Sequence, residues 1–425
     1  MRFIPFFGLV IALVLCSCTT KKKIIEQKSQ SSLYNPGSSY LHPEYIVFHQ
    51  SEDISQLILR INTDELLFNQ ANSENKLLAN ITVQYQLIDI TDNPFSKDIA
   101  DSATTVKKME KMPGRNIILL TFLLKAKYGK QYSLKIVLSD NLRNIKQQNY
   151  VSVNKLSKFS GQNFKVISRL NDLPIFRNFV VPDETVRILS GQPEVKRYFI
   201  KYRKDDTPLP PPPFSVQMEH GFKFKEDSMW IFNYNQQQSF LFPYKGMYLI
   251  QSDSAQADGL LLTNPGPGFP KVNEPDLMIP PLEYLTTTDE FNSLKKDDNK
   301  KLTIDNFWLK MGGNVDMARE LIRIYYNRMY YSNVFFTSYK PGWKTDRGMI
   351  YLIFGPPTLV SKNASSETWE YYIKQDASNL ALTFDKVPSP YSENNYVMLR
   401  NDSYTRFWRT AIETWRKGKA YSLEE

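Results

Sequence analysis

The sequence has almost no cysteine. Its 425 residues include only two, Cys16 and Cys18, and both lie at the end of an apolar N-terminal stretch. The rest of the chain therefore forms no disulfide bond and offers no thiol for catalysis or metal binding. A chain of this length is expected to fold as two or three domains, which must be stabilised by their cores alone.

Histidine is also scarce. The three histidines are His42, His49 and His220, and no two of them have the spacing of metal ligands. The sequence contains neither the His-Glu-x-x-His pattern of zinc hydrolases nor the Gly-x-Ser-x-Gly turn of serine hydrolases. We therefore expect no bound metal, no cofactor and no enzymatic activity.

Long apolar runs are missing except at the N-terminus. Residues 3–15 carry no charge, but this run is shorter than the roughly 20 residues that cross a bilayer as a helix, and it is typical of a secretion signal. Residues 15–18, Leu-Cys-Ser-Cys, resemble a bacterial lipobox, with Cys16 as a mild departure. The resemblance implies a signal peptide over residues 1–17 and acyl chains such as palmitate on Cys18. The alternative is a plain secretory signal.

The residues after Cys18 bear on the choice of membrane. Thr19 stands where an aspartate would signal retention in the inner membrane, so the outer membrane is favoured. Surface-exported lipoproteins of Bacteroidetes-type bacteria tend to have acidic residues here, whereas residues 21–23 are lysines. We therefore expect a lipid anchor in the periplasm-facing leaflet, and a flexible polar tether over residues 18–42.

The chain has an excess of positive charge. Its net charge is +9 at pH 7, with lysine clusters at residues 21–23, 107–111 and 295–301. Such clusters are usually solvated loops, and they also attract anionic lipid headgroups or an acidic partner. Nucleic acid is excluded as a partner because the export signal directs the chain out of the cytoplasm.

Two β modules are predicted in the first two thirds of the chain. Short stretches that alternate apolar and polar residues predict an immunoglobulin-like antiparallel β-sandwich over residues 43–158. The same pattern predicts a second β module over residues 159–270. A proline-rich insertion at residues 208–213 interrupts this second module and is expected to form a stiff surface connector.

An α+β domain is predicted over residues 271–425, so the fold class is multidomain, with two antiparallel β-sandwich-like modules before an α+β domain. The clearest element is a helix over residues 315–336 with Asn314 as its N-cap. Shorter helices are predicted at residues 289–294, 305–313 and 407–415. Strands are predicted at residues 349–354, 368–373 and 380–384.

A turn-like segment precedes the apolar run at residues 349–354. It reads Pro-Gly-Trp-Lys-Thr-Asp-Arg-Gly over residues 341–348. We expect Gly342 and Gly348 to supply positive φ at the two ends of this turn. We expect Asp346 to accept backbone N–H groups as an Asx turn.

This segment resembles the GWxTD-domain family of lipoproteins, found mainly in Bacteroidetes-type bacteria. The matching residues are Gly342, Trp343, Lys344, Thr345, Asp346, Arg347 and Gly348, followed after the apolar run by Gly355, Pro356 and Pro357. The resemblance covers roughly residues 275–420. It implies an envelope lipoprotein but no established enzymatic activity.

The roles of the motif residues leave alternatives open. Trp343 is either a core residue beneath the turn or an exposed aromatic ring that contacts sugar or protein, and burial favours the core. Asp346 is interpreted as a turn cap with Arg347 as its ion partner, so Asp346→Asn is expected to be mild. A carboxylate mechanism stays open if Asp346, Glu367 and Glu370 converge.

These features together predict a non-enzymatic scaffold or adaptor, anchored at Cys18 in the outer membrane. The β modules are expected to hold the α+β domain away from the membrane, where it contacts an envelope protein complex for outer-membrane protein assembly or secretion. The alternative is an envelope hydrolase or carbohydrate-binding protein that acts through the α+β domain.

Replacement of the lipidation residue provides the first test. Cys18→Ala should leave unprocessed or soluble protein and abolish membrane fractionation, because the mature chain has no other segment apolar enough to anchor it. Fractionation after a high-salt wash measures this. Variant protein that stays in the salt-washed membrane would refute lipid anchoring at Cys18.

Overall fold

A computed structural model describes residues 30–35, 41–70, 77–112, 114, 116–216, 222–363, 365–373 and 378–421. The predicted signal peptide, Cys18 and the lysines at 21–23 lie outside the described residues, as does His220. No helix among the described residues is long and apolar enough to cross a membrane.

The first β module contains two antiparallel sheets. One has the strand order β1-β2-β6, and the other has the order β3-β4-β7-β8 with β5 paired to β4. The strands are β1 (Glu44–His49), β2 (Ile54–Asn62), β3 (Asn69–Gln70), β4 (Leu77–Asp89), β5 (Ile99–Glu110), β6 (Ile117–Lys125), β7 (Gln131–Asp140) and β8 (Ile145–Asn154). Apolar residues of both sheets, such as Leu57, Leu59, Ile81 and Leu134, form one core.

The second β module is also built from two antiparallel sheets, with the orders β13-β10-β9 and β12-β11-β14-β15. Its strands are β9 (Phe164–Ser168), β10 (Thr185–Ser190), β11 (Arg197–Arg203), β12 (Ser228–Asn233), β13 (Phe240–Leu241), β14 (Gly246–Gln251) and β15 (Leu260–Asn264). The proline-rich insertion joins β11 to β12.

The C-terminal region combines helices with a sheet of order β16-β17-β18-β19. Its elements are α1 (Pro275–Met278), α2 (Thr288–Lys296), α3 (Lys300–Gly312), α4 (Val315–Phe336), α5 (Asp346–Phe354), β16 (Leu359–Lys362), β17 (Ser366–Ile373), β18 (Ser378–Lys386), β19 (Tyr396–Met398) and α6 (Thr405–Arg416). Helix α4 has the predicted bounds. It begins after Asn314, because the Asn314 side chain accepts the N–H of Met317 as an N-cap.

The strand predicted at residues 349–354 is wrong, because this run belongs to helix α5. All nine residues of α5 are buried. A short and wholly apolar run fits a buried strand and a buried helix equally well, so periodicity does not separate them. The signals that decide are at the ends: Thr345 is the N-cap, and Gly355 follows the last helical residue.

Residues 30–34, which the sequence places in a flexible tether, are instead packed on the C-terminal region. The Gln30 N–H donates to the carbonyl of Val360 at 2.9 Å. Tyr34 is buried, and its ring centroid lies 5.0 Å from that of Phe336 and 5.2 Å from that of Trp369. Its carbonyl accepts the hydroxyl of Tyr351 at 2.9 Å. The prediction of a tether through residue 42 is therefore wrong for this segment.

The packing of Tyr34 predicts that the C-terminal region depends on a residue some 240 positions before it. Tyr34→Ala should lower the free energy of unfolding by about 3–5 kcal/mol, the range for removing a buried aromatic ring. Tyr34→Phe keeps the ring and should cost about 1–3 kcal/mol. Urea titrations of the full chain, followed by tryptophan fluorescence, measure both variants. Equal midpoints for Tyr34→Ala and the parent chain would refute this packing.

Candidate functional site

The Gly-Trp-Lys-Thr-Asp segment connects helix α4 to helix α5. Gly342–Lys344 form one turn of 3-10 helix, and Asp346 is the first residue of α5. The segment is therefore an αα connection, not the turn before a strand that the sequence predicts.

Gly342 and Gly348 are needed because two backbone segments meet there, and neither has the expected positive φ. A Cβ on Gly342 would lie 1.9 Å from the carbonyl oxygen of Ser332 in α4. A Cβ on Gly348 would lie 1.8 Å from the carbonyl oxygen of Gly342. Only glycine allows this approach, so the two residues fix how tightly α4, the turn and α5 pack.

Trp343 lies in the core, with 7% of its surface exposed. Its backbone N–H donates to Oδ1 of Asn333 at 3.3 Å, and its carbonyl accepts the hydroxyl of Tyr284 at 3.1 Å. The Tyr284 ring meets the indole edge to face, with centroids 6.3 Å apart. Trp343 therefore stabilises the turn and does not present a ring for a ligand.

Thr345 is the residue that caps α5. Its hydroxyl oxygen accepts the N–H of Gly348 at 3.0 Å and donates to the carbonyl of Gly342 at 2.7 Å. The Asx turn expected at Asp346 is therefore replaced by a threonine N-cap one residue earlier.

Asp346 connects the start of α5 to the end of β19. Its Oδ1 lies 2.6 Å from Nη2 of Arg400, and its Oδ2 accepts the N–H of Met398 at 2.9 Å. The two charged side chains are 5% and 0% exposed. Arg347 is therefore not the ion partner of Asp346. Replacement of Asp346 by Asn would leave the Arg400 charge buried without its carboxylate, so the expectation of a mild effect does not hold.

Lys344 connects the turn to the second β module. Its Nζ lies 3.1 Å from Oδ2 of Asp205 and 3.3 Å from the carbonyl of Thr207, just before the proline-rich insertion. Burial alone would raise the pKa of Asp205. The charge of Lys344 and the hydrogen bonds from Thr207 outweigh burial, so the pKa is lowered overall.

The proline-rich insertion itself packs on the C-terminal region and is not merely a surface connector. Arg400 donates to the carbonyl of Pro211 at 3.1 Å, and the N–H of Asn401 donates to the carbonyl of Pro213 at 3.1 Å. Leu209 and Phe214 pack against the C-terminal core.

Arg347 pairs with Glu367 on β17. Its Nη1 lies 3.0 Å from Oε1 of Glu367, and the two side chains are 2% and 0% exposed. Lys362 Nζ lies 2.7 Å from the same carboxylate, and the Tyr34 hydroxyl donates to it at 2.8 Å. The Arg347 guanidinium also lies over the ring of Tyr396, 3.9 Å from its centroid.

The environment of Glu367 keeps it ionised. Burial alone would raise its pKa, but Lys362 and Arg347 outweigh burial and lower the pKa to about 2. A carboxyl group with this pKa does not hold a proton at neutral pH and is unsuited to general acid catalysis.

The three carboxylates considered for catalysis do not converge. Asp346 pairs with Arg400, whereas Glu367 pairs with Arg347 and Lys362. Glu370 is three residues from Glu367 on the same strand, so it points to the other face of the sheet. Within the described residues, no group of three or more His, Cys, Asp or Glu side chains is arranged to hold a metal ion.

Gly355, Pro356 and Pro357 end helix α5. Gly355 has φ of +85°, and a Cβ there would lie 2.9 Å from the guanidinium of Arg328. Arg328 donates to the carbonyls of Ile353 at 3.0 Å and Tyr421 at 2.7 Å, which satisfies the C-terminal end of a fully buried helix.

The important residues that local patterns missed are Tyr34, Asp205, Arg328 and Arg400. Asp205 pairs with Lys344, and Arg400 pairs with Asp346. Arg328 lies beside Gly355, and Tyr34 reaches Arg347 only through Glu367. In the sequence, each of the four looks like an ordinary surface residue. No local spacing signals these contacts. The motif sequence alone indicates only that several buried polar groups need partners.

The fold and the buried turn define an α+β domain organised around a Gly-Trp-x-Thr-Asp connection between two helices. Residues 246–417 match the family model of the GWxTD domain. This part of the chain is therefore a GWxTD domain, and the predicted resemblance to that domain is confirmed for these residues. The match begins at β14, inside the region that the sequence assigns to the second β module.

Other comparisons add no relative from which function follows. No curated protein matches the chain by sequence. Two solved structures of Bacteroides uniformis enzymes align, a β-glucuronidase and a calcium-binding mutant of β-glucuronidase 2. Each is 10% identical, and the alignment covers 28% of this chain and 14% of the enzyme, with TM-scores of 0.17 and 0.18.

A pair of glycine substitutions tests the close approach at the turn. Gly348→Ala should lower the free energy of unfolding by about 3 kcal/mol, because the added Cβ collides with backbone that cannot move away. Gly129→Ala is the matched control: Gly129 has φ of +78° and open space around it, so the cost should be about 1–2 kcal/mol. Thermal melts compare them. A smaller loss at Gly348 than at Gly129 would contradict the close packing.

Proposed function

We propose that the chain is anchored by acyl chains on Cys18 in the periplasm-facing leaflet of the outer membrane. In this proposal the GWxTD domain is a non-enzymatic scaffold or adaptor for an envelope protein complex. Machinery for outer-membrane protein assembly or secretion is the partner class. The support for a non-enzymatic role comes from the contacts that the motif residues make.

The observation that carries the proposal is that each polar residue of the motif is engaged inside the molecule. Lys344 contacts Asp205 of the second module, and Thr345 caps α5. Asp346 and Arg347 form buried ion pairs with Arg400 and Glu367. A catalytic side chain must be accessible to substrate. Side chains that hold the elements of a domain together are instead buried and paired within the protein, as these are.

The N-terminal segment changes the expected position of the domain. Gln30 is hydrogen-bonded to Val360 of the GWxTD domain and lies twelve residues after Cys18. Twelve fully extended residues span at most roughly 40 Å. If Cys18 is lipidated, this short connection holds the GWxTD domain near the membrane. The β modules therefore do not act as a spacer between the membrane and the GWxTD domain.

A hydrolase acting through this domain receives no support from the site. Glu367 is ionised and contacts two cations, and Asp346 is enclosed by Arg400 and backbone. Carbohydrate binding is favoured only outside the motif, by a cleft between the first β module and the GWxTD domain.

A charge-pair replacement separates a scaffold from an enzyme. Asp346→Asn alone should lower the free energy of unfolding by about 3–5 kcal/mol, because it leaves the Arg400 charge buried. The double variant Asp346→Asn/Arg400→Met removes both charges and should regain most of that loss. Thermal melts, together with complementation of a deletion strain, measure folding and function separately.

The scaffold proposal expects the folded double variant to complement the deletion strain. It also expects crosslinking in the native membrane to recover the same envelope proteins with this variant as with the parent chain. A double variant that is stably folded and fails to complement would make Asp346 a reacting group and overturn the proposal.

A further inference from the structure

A cleft of about 910 Å³ lies between the first β module and the GWxTD domain. Strands β1, β2 and β8 form one wall, and the C-terminal end of α4 with residues near β19 forms the other. Tyr34 and Phe176 also line it. This volume is within the range of small-molecule sites, which commonly occur where modules meet. It is separate from the GWxTD turn.

The wall from the first β module carries buried polar atoms that have no partner in the described part of the chain. They are Nε2 of His42, the hydroxyl of Tyr45 and the hydroxyl of Ser152. All three residues line the cleft. Leaving a buried polar atom without a hydrogen bond costs about 1–3 kcal/mol of stability. Three such atoms at one cleft suggest a ligand that supplies the missing hydrogen bonds.

The three atoms have different hydrogen-bonding needs. Nδ1 of His42 lies 3.0 Å from Oε1 of Glu65, and in the neutral ring it therefore carries the proton and Nε2 is an acceptor. The hydroxyls of Tyr45 and Ser152 can donate. Burial raises the pKa of Tyr45, so its phenol keeps the proton. A ligand that satisfies all three atoms must offer both a donor and acceptors.

Three cationic side chains of the walls are already paired with carboxylates. The pairs are Arg60 with Glu44 at 2.9 Å, Lys386 with Glu393 at 3.2 Å, and Lys362 with Glu367 at 2.7 Å. A charged ligand would have to compete with these pairs. A neutral ligand leaves them intact.

Aromatic rings and amides complete the walls. Tyr150 and Phe176 lie on the side of the β modules, and Tyr331 and Phe335 lie on the side of α4, with Asn149 and Asn394 among the amides. Rings pack against the C–H faces of a ligand, and amides pair with groups that donate and accept together.

We propose that this cleft binds a neutral oligosaccharide, whose hydroxyl groups pair with His42, Tyr45 and Ser152 while its C–H faces pack on the surrounding rings. Each sugar hydroxyl is both donor and acceptor, as these three atoms require. The site uses residues from the first β module and the GWxTD domain, so neither part alone completes it. The inference does not depend on the proposed scaffold function.

The test uses the full chain in a detergent without a sugar headgroup. The probes are four neutral tetrasaccharides: chitotetraose, cellotetraose, maltotetraose and xylotetraose. Isothermal titration up to 5 mM ligand should show saturable binding of at least one. Tyr45→Phe and Ser152→Ala should each weaken it by roughly three- to tenfold, the effect of losing one hydrogen bond. Tyr372→Phe removes a hydroxyl from an exposed tyrosine outside the cleft and should leave binding unchanged.

The stability of the free protein gives a second readout. Because the hydroxyls of Tyr45 and Ser152 have no partner among the described residues, Tyr45→Phe and Ser152→Ala should leave the melting temperature unchanged or raise it. Three results would overturn the proposal: no binding of any of the four sugars, binding that both variants leave unaltered, or binding only of a heparin tetrasaccharide or an extended Ser-Val octapeptide.

Discussion

The carboxylate of Glu367 is the group on which the GWxTD domain depends most. It accepts hydrogen bonds from Tyr34, Arg347 and Lys362, and the indole of Trp369 adds a fourth donor at 3.3 Å. A carboxylate buried without these partners would cost several kcal/mol, so the N-terminal segment, α5 and β16 are each required before β17 can bury it. One charge thus makes the packing of four separate segments interdependent.

The sequence predicts elements well where the stabilising signal is local. Strand β4 buries every second residue, and α4 has an asparagine cap directly before its first turn. Prediction fails where the signal is absent or equivocal. Strand β5 is polar and mostly exposed on both faces, so no alternation marks it, and the buried run of α5 carries no periodicity at all. From the sequence, the proline-rich insertion and residues 30–34 resemble solvent-exposed segments. They have few apolar residues, and the residues that they contact lie far away in the sequence.

The candidate site shows the same limit. Local reasoning pairs Asp346 with Arg347 because they are adjacent, but neighbouring residues on a helix point in different directions, and each found a partner on another element. The sequence singles out Gly342 and Gly348 for a backbone reason, but that reason is close approach of two backbone segments and not positive φ. What the sequence could not supply is the identity of partners that lie 20 to 139 residues from the motif residues, because those partners are set by the tertiary fold.

The contact between Tyr34 and Glu367 spans 333 positions of sequence. Both β modules lie within that span, so the chain is closed into a loop by a residue near one end and a domain near the other. The side chains around Tyr34 come from α4, α5 and β17, so its burial joins the N-terminal segment to elements far along the chain. Closing a loop of this length costs conformational entropy, which the buried contacts of Tyr34 offset. The two β modules thereby lie within one closed loop, and removal of the Tyr34 contacts opens that loop.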